Sequence, residues 1–183
     1  MIKRPTDPRR LDVASFALAS AELEGELRLS ELPRLAESTH RGAKLDVEPV
    51  VRWRVRGERR EVQRGPAQIW LHLNAVVSLS LTCQRCLDAI LVPVQAQRSF
   101  MFVQGENLAA ELDASLEDDV LALTRELDVQ DLLEDELLLA LPLVPKHDQC
   151  PELFPLGSQT EDPSSQTPKP FASLAALKST RRG

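Results

Sequence analysis

Cys83 and Cys86 stand two residues apart in LTCQRC (81–86), with Arg85 between them. Thiolates ligate metals, exchange disulfides and attack electrophiles, and the choice depends on what joins them. A CxxC turn at a strand end aims both sulfurs at one point, and a tetrahedral zinc site needs four such donors. His147 and Cys150, an H-x-x-C spacing, supply the other two. Cys83, Cys86, His147 and Cys150 are therefore the candidate Cys3His set for one structural zinc, which would contribute folding energy rather than chemistry. All 3 cysteines fall in these two halves. The halves are farther apart than in a compact zinc ribbon. The residues alone leave two other readings open, reduced thiols that only pack and a redox pair. No activating base lies close to the pair in sequence.

A second candidate is a run of arginines. Arg52, Arg54, Arg56, Arg59, Arg60 and Arg64 crowd into thirteen residues. The guanidinium fork matches phosphate, and each phosphate contact adds salt-dependent affinity, so this run is a candidate RNA-binding ridge. The plainer reading is a solvated strand face. Residues 111–136 have the opposite character, with eleven acids and one arginine. Within them Asp131, Glu134 and Asp135 are candidates for docking a basic partner, against the reading of a solvated helix face. The net charge of −6 argues against a protein that coats nucleic acid with its whole surface, and leaves room for a local basic face.

The elements that must position these residues follow from periodicity. VEPVVRWRVRGERREV (47–62) alternates, with Val51, Trp53 and Val55 on one face and Arg52, Arg54 and Arg56 on the other. Gly57 reads as the start of a turn and Glu61–Gln63 as the returning arm. AQIWLHLNAVVSLSLT (67–82) is a long strand ending at the cysteines, with Asn74-Ala75 as a bulge or a plain outward position. AILVPVQAQRSFMFV (89–103) is another strand, which Pro93 places at an edge or near its start. AELEGELRLSELPRLAEST (21–39) reads as a strand and then a short helix, with Ser30 as N-cap and Pro33 in the first turn. Residues 105–119 read as a polar, mobile stretch and VLALT (120–124) as a short strand. DVQDLLEDELLLALPLVP (128–145) is the best helix, capped by Asp128 or Asp131 and ended by Pro142. Its leucines run nearly all round, which predicts deep burial or a second contact. His40 and His72 look like ordinary surface or boundary residues, and Trp53 and Trp70 like core or boundary aromatics.

The expected fold is α+β: a curved antiparallel sheet of about five or six strands, open or closing toward a barrel, with the 128–141 helix packed across it. Residues 1–158 form the expected single domain. Residues 159–183 form a mostly flexible tail with a short apolar motif at 170–178. No apolar run is long enough for a membrane span. The odd cysteine count argues against a disulfide-stapled secreted fold, so the expected location is the cytoplasm.

LTCQRCLDAI (81–90), DLLEDELLLALPLVP (131–145), KHDQC (146–150) and KPFASLAALK (169–178), in this order, resemble the large ribosomal RNA subunit accumulation protein family, the YceD family. The resemblance spans about Leu11 to about Lys178. It implies a factor supporting synthesis, processing or stability of large-subunit (23S) rRNA. It carries over no catalytic residue. No cysteine follows Cys150, unlike a branch of the family with extra cysteines in the tail. Neither a nucleophile–base–orienter set nor a phosphate-cradling glycine loop stands out. The expectation is a non-enzyme that binds rRNA or a ribosomal protein. Its rivals are an acidic adaptor with no RNA contact and a thiol-dependent redox enzyme.

Overall fold

The longest alternating stretches of the sequence form the longest strands. A computed structural model of the chain describes residues 7–41, 47–63 and 65–150. Helix α1 (Val13–Leu18) precedes β1 (Glu22–Arg28), and a 3-10 turn (Leu29–Glu31) leads into α2 (Pro33–Glu37). Then come β2 (Val50–Arg60), β3 (Gln68–Thr82) and β4 (Ala89–Val103). Helix α3 (Glu106–Asp113), β5 (Asp119–Ala122) and α4 (Val129–Leu139) complete the order. The five strands lie in chain order in one sheet, β1-β2-β3-β4-β5. The first three pairings are antiparallel and β5 runs parallel to β4.

The fold is α+β, as expected, but the sheet is mixed and curled rather than closed. β5 pairs with only four residues of β4, Phe100–Val103, so the earlier part of β4 is an edge. Pro93, which lacks an N–H, sits in that unpaired stretch. The parallel pairing also explains a departure from expectation at 105–119. A parallel neighbour needs a crossover rather than a hairpin, and α3 supplies it where the sequence reads as mobile.

One sheet face is apolar. Leu71, Leu73, Val77, Leu79 and Leu81 of β3 align with Val51 and Val55 of β2 and with Val94, Ala96 and Phe100 of β4. Helices α1, α2 and α4 cover this face with Val13, Phe16, Leu35, Leu133 and Leu137. The core is mostly aliphatic, with Phe16, Phe100 and Phe102 among its members. On the opposite face, Trp70, Met101 and Val120 pack with Ala109 of α3 in a small second cluster. The rest of that face is polar.

Two local expectations fail for stated reasons, and a third, left as two alternatives, is decided. Gly57 starts no turn; it lies inside β2, and the turn follows Arg60. A Cβ there would meet the Ala17 backbone and the Phe16 ring at 2.8 Å, so Gly57 is the residue that lets α1 lie on the sheet. Asn74-Ala75 makes no bulge, because both residues keep register with β2 and β4. Ser30 does not cap α2; it lies in the 3-10 turn and its N–H donates to Glu48. Pro33 does occupy the first turn of α2. The 159–183 tail, its 170–178 motif and Arg64 lie outside the described residues. No described helix is long and apolar enough to cross a membrane.

Candidate functional site

The cysteine turn grows out of the end of β3. Cys83 N–H donates to the Asp88 carbonyl and Leu87 N–H to the Cys83 carbonyl, each at 2.9 Å, closing a tight loop. Leu87 adopts φ of 65°, a left-handed conformation that side-chain-bearing residues rarely take. The residue is 67% exposed to solvent.

The other half arrives from α4. The Asp128 carboxylate caps that helix, accepting from the N–H groups of Gln130 and Asp131. The helix ends at Leu139, and the chain then passes Pro142 toward the cysteine turn. Gln84 N–H donates to the Pro145 carbonyl at 2.9 Å, docking the returning segment against the loop.

The result is a four-donor cluster. Cys83 Sγ lies 3.7 Å from Cys150 Sγ, and Cys86 Sγ lies 3.3 Å from His147 Nδ1. All four ligand atoms fall within 4.8 Å of one another, a group able to hold a metal ion. Cys83 is fully buried and the other three are half-buried. The candidates from opposite ends of the sequence are thus brought together.

Electrostatics separate the thiols. Burial pushes Cys83 up, but the backbone N–H groups of Cys86, Arg85 and His147 outweigh it and hold the thiol down at about 5. Burial pushes Cys86 up to about 11, and the neighbouring Cys83 and Cys150 act the same way. Arg85, prominent in sequence only as the residue between the cysteines, has a definite place. Its Nε donates to Cys150 Sγ at 3.3 Å and its terminal nitrogen to the His147 carbonyl at 3.0 Å.

The arginine ridge is largely paired. Arg52, Arg54 and Arg56 stand directly across from Glu26, Glu24 and Glu22. Arg54 bridges Glu22 and Glu24, each at 3.0 Å. Arg59 pairs with Glu61 at 2.9 Å, and Arg56 and Arg60 both approach Glu58. Among the described residues, Arg52 makes no ion pair. Arg60 also lies over the Trp70 ring at 4.4 Å, which ties its guanidinium to the surface of the second cluster.

The acidic candidates divide. Asp131 is exposed. Glu134 is buried, accepting from Leu35 N–H and from Arg34 Nε, each at 3.0 Å. Asp135 pairs with the same arginine. The neighbouring Glu136, also buried, meets Arg98 at 3.2 Å; burial raises its carboxyl despite that pairing. Leu133 and Leu137 are fully buried, whereas Leu139 is 72% exposed.

One arrangement has no signal in the sequence. His72 bonds Ser99 Oγ through Nδ1 at 2.8 Å and Glu58 through Nε2 at 2.7 Å. Spacing cannot reveal it, because three strands contribute one residue each. Its atoms match a nucleophile–base–orienter chain. Ser99 lies inside β4, and its hydroxyl is bonded to His72. Glu58 is held down at about 2 by Arg60 and His72, so it serves as the hub of a surface charge network.

A family model described as large ribosomal RNA subunit accumulation protein YceD matches residues 71–178. A protein of that name from Haemophilus influenzae (strain ATCC 51907 / DSM 11121 / KW20 / Rd) is 28% identical over 177 residues. That similarity covers 93% of this chain and 95% of the relative. No solved structure matches the chain. The matched span holds both halves of the Cys–His cluster and the acidic helix between them, and the chain belongs to the large ribosomal RNA subunit accumulation protein YceD family.

Proposed function

We propose that this chain is a non-catalytic cytoplasmic factor that supports accumulation of large-subunit (23S) rRNA, and that it acts by holding a basic ribosomal protein. The role in rRNA accumulation comes from the family's name. The choice of partner rests on the pairing of the arginine strand. Arg54, Arg59 and Arg60 already have carboxylate partners, and a phosphate would have to displace them. The chain as a whole is acidic, and Asp131 is exposed on α4, where it can meet a cationic surface. Zinc at the Cys83 cluster enters this reading as scaffolding, with no reaction step. A second reading, direct rRNA contact, is favoured by Arg52, which borders an open depression of about 640 Å³ with Trp53, Arg54 and Asn74.

Crosslinking in growing cells, with bound RNA and protein both identified, decides between them. A basic large-subunit protein that stays bound after nuclease treatment supports the leading form. Crosslinks from 23S rRNA to residues 52–60 select the second. Recovery of neither overturns both.

A further inference from the structure

We infer that Cys83, Cys86, His147 and Cys150 hold one zinc ion in a closed tetrahedral site, and that Arg85 clamps the His147–Cys150 half from outside the ligand set. The ribosomal reading uses this ion as scaffolding, and the evidence for the site does not depend on which partner is held.

Donor chemistry comes first. Three thiols and an imidazole are a structural zinc set, with no position left for substrate. Spacing is the second support. Zinc bonds of about 2.3 Å to sulfur and about 2.0 Å to nitrogen give tetrahedron edges of about 3.8 Å between sulfurs and about 3.5 Å between sulfur and nitrogen. The Cys83–Cys150 edge is 3.7 Å and the Cys86–His147 edge 3.3 Å. A disulfide between Cys83 and Cys150 would need the sulfurs at about 2.05 Å. It would also leave Cys86 and His147 facing each other without a task.

Context is the third support. His147 offers Nδ1 to the cluster. Cys83, at the centre, is fully buried and its loop is fixed by two backbone bonds. Three thiolates and a neutral imidazole around a divalent ion carry one net negative charge, and the Arg85 guanidinium rests on Cys150 Sγ to offset it. The same guanidinium holds the His147 and Asp148 carbonyls, at 3.0 and 3.4 Å. Arg85 thus fixes the orientation of two ligands from the opposite half, the role outer-shell groups play in metal sites. The ion would fasten the segment after α4 to the end of β3, a span that otherwise has the Gln84–Pro145 bond and the Arg85 contacts.

The test uses the full chain, purified under reducing conditions without chelator or added metal. Elemental analysis is expected to find on the order of one zinc per chain. Cobalt(II) exchange is expected to give the intense visible absorption of a tetrahedral, thiolate-rich ion. Cys86→Ser should lose the stoichiometry, and chelation should lower the thermal midpoint of the parent but not of that variant. Arg85→Gln should keep the ion and release it to a chelator about 10-fold faster. Zinc far below one per chain, together with no cobalt spectrum from the unaltered protein, overturns the site even if Cys86→Ser fails to fold. An intact mass showing a Cys83–Cys150 disulfide in the reduced preparation does the same.

Discussion

At the scale of single residues, the clearest strain lies at Leu87. A left-handed conformation costs a side-chain-bearing residue roughly 1–2 kcal/mol, while glycine adds about 0.5–1 kcal/mol of unfolded-chain entropy. Leu87 is exposed, so its replacement loses little packing. Leu87→Gly is expected to match or exceed the parent by up to about 1 kcal/mol in urea unfolding, and Leu87→Val to be less stable than either. The reverse order would show that the loop does not impose this backbone. Glu58 carries a pH prediction. Its carboxyl is held at about 2 when folded against an ordinary 4.5. A depressed folded value contributes stability above pH 4.5 and loses it as pH falls toward about 2. Urea midpoints measured across that window should therefore fall more steeply for the parent than for Glu58→Gln; parallel curves would contradict the pairing with Arg60 and His72. At this scale the sequence was informative where chemistry is local. The cysteine and H-x-x-C spacings name four residues that do meet. Nothing local marks Arg85 as a clamp or joins Glu58, His72 and Ser99, because those contacts are set by strand register.

At the scale of elements, α4 is held to α2 by a carboxylate rather than by leucines alone. Glu134 is buried with its two oxygens on Leu35 N–H and Arg34. Glu134→Ala leaves a buried N–H unsatisfied and is expected to cost about 1–3 kcal/mol in equilibrium unfolding. Glu134→Gln keeps an acceptor and should cost less; equal losses would mean that the charge, not the hydrogen bond, matters. The acidic character of α4 was plain in its sequence. That Glu134 is spent inside the molecule was not, since a helix pattern does not say which acids face a neighbouring element. The long strands were legible because β2, β3 and β4 alternate for eleven to fifteen residues. Gly57 misled because glycine marks both turns and close approaches, and here α1 makes the approach. Helix α3 was hidden by its polar composition; it exists because β5 pairs parallel to β4.

At the scale of the whole molecule, an open curled sheet carries a mostly aliphatic core on one face and a polar surface on the other. Cross-strand glutamates stand opposite Arg52, Arg54 and Arg56 of β2, and Arg54 pairs with two of them. The Cys–His cluster lies where the end of β3 meets the segment beyond α4, at the join of sheet and helical layer. Under the proposed reading, both features belong to a scaffold that presents surfaces to a partner. Loss of such a factor should lower the amount of large-subunit rRNA without a change in any small-molecule turnover. The most direct measurement is the ratio of 23S to 16S rRNA in cells with this gene deleted, and again with it restored. The ratio is predicted to fall on deletion and to recover on restoration; an unchanged ratio in the deleted strain would contradict the account.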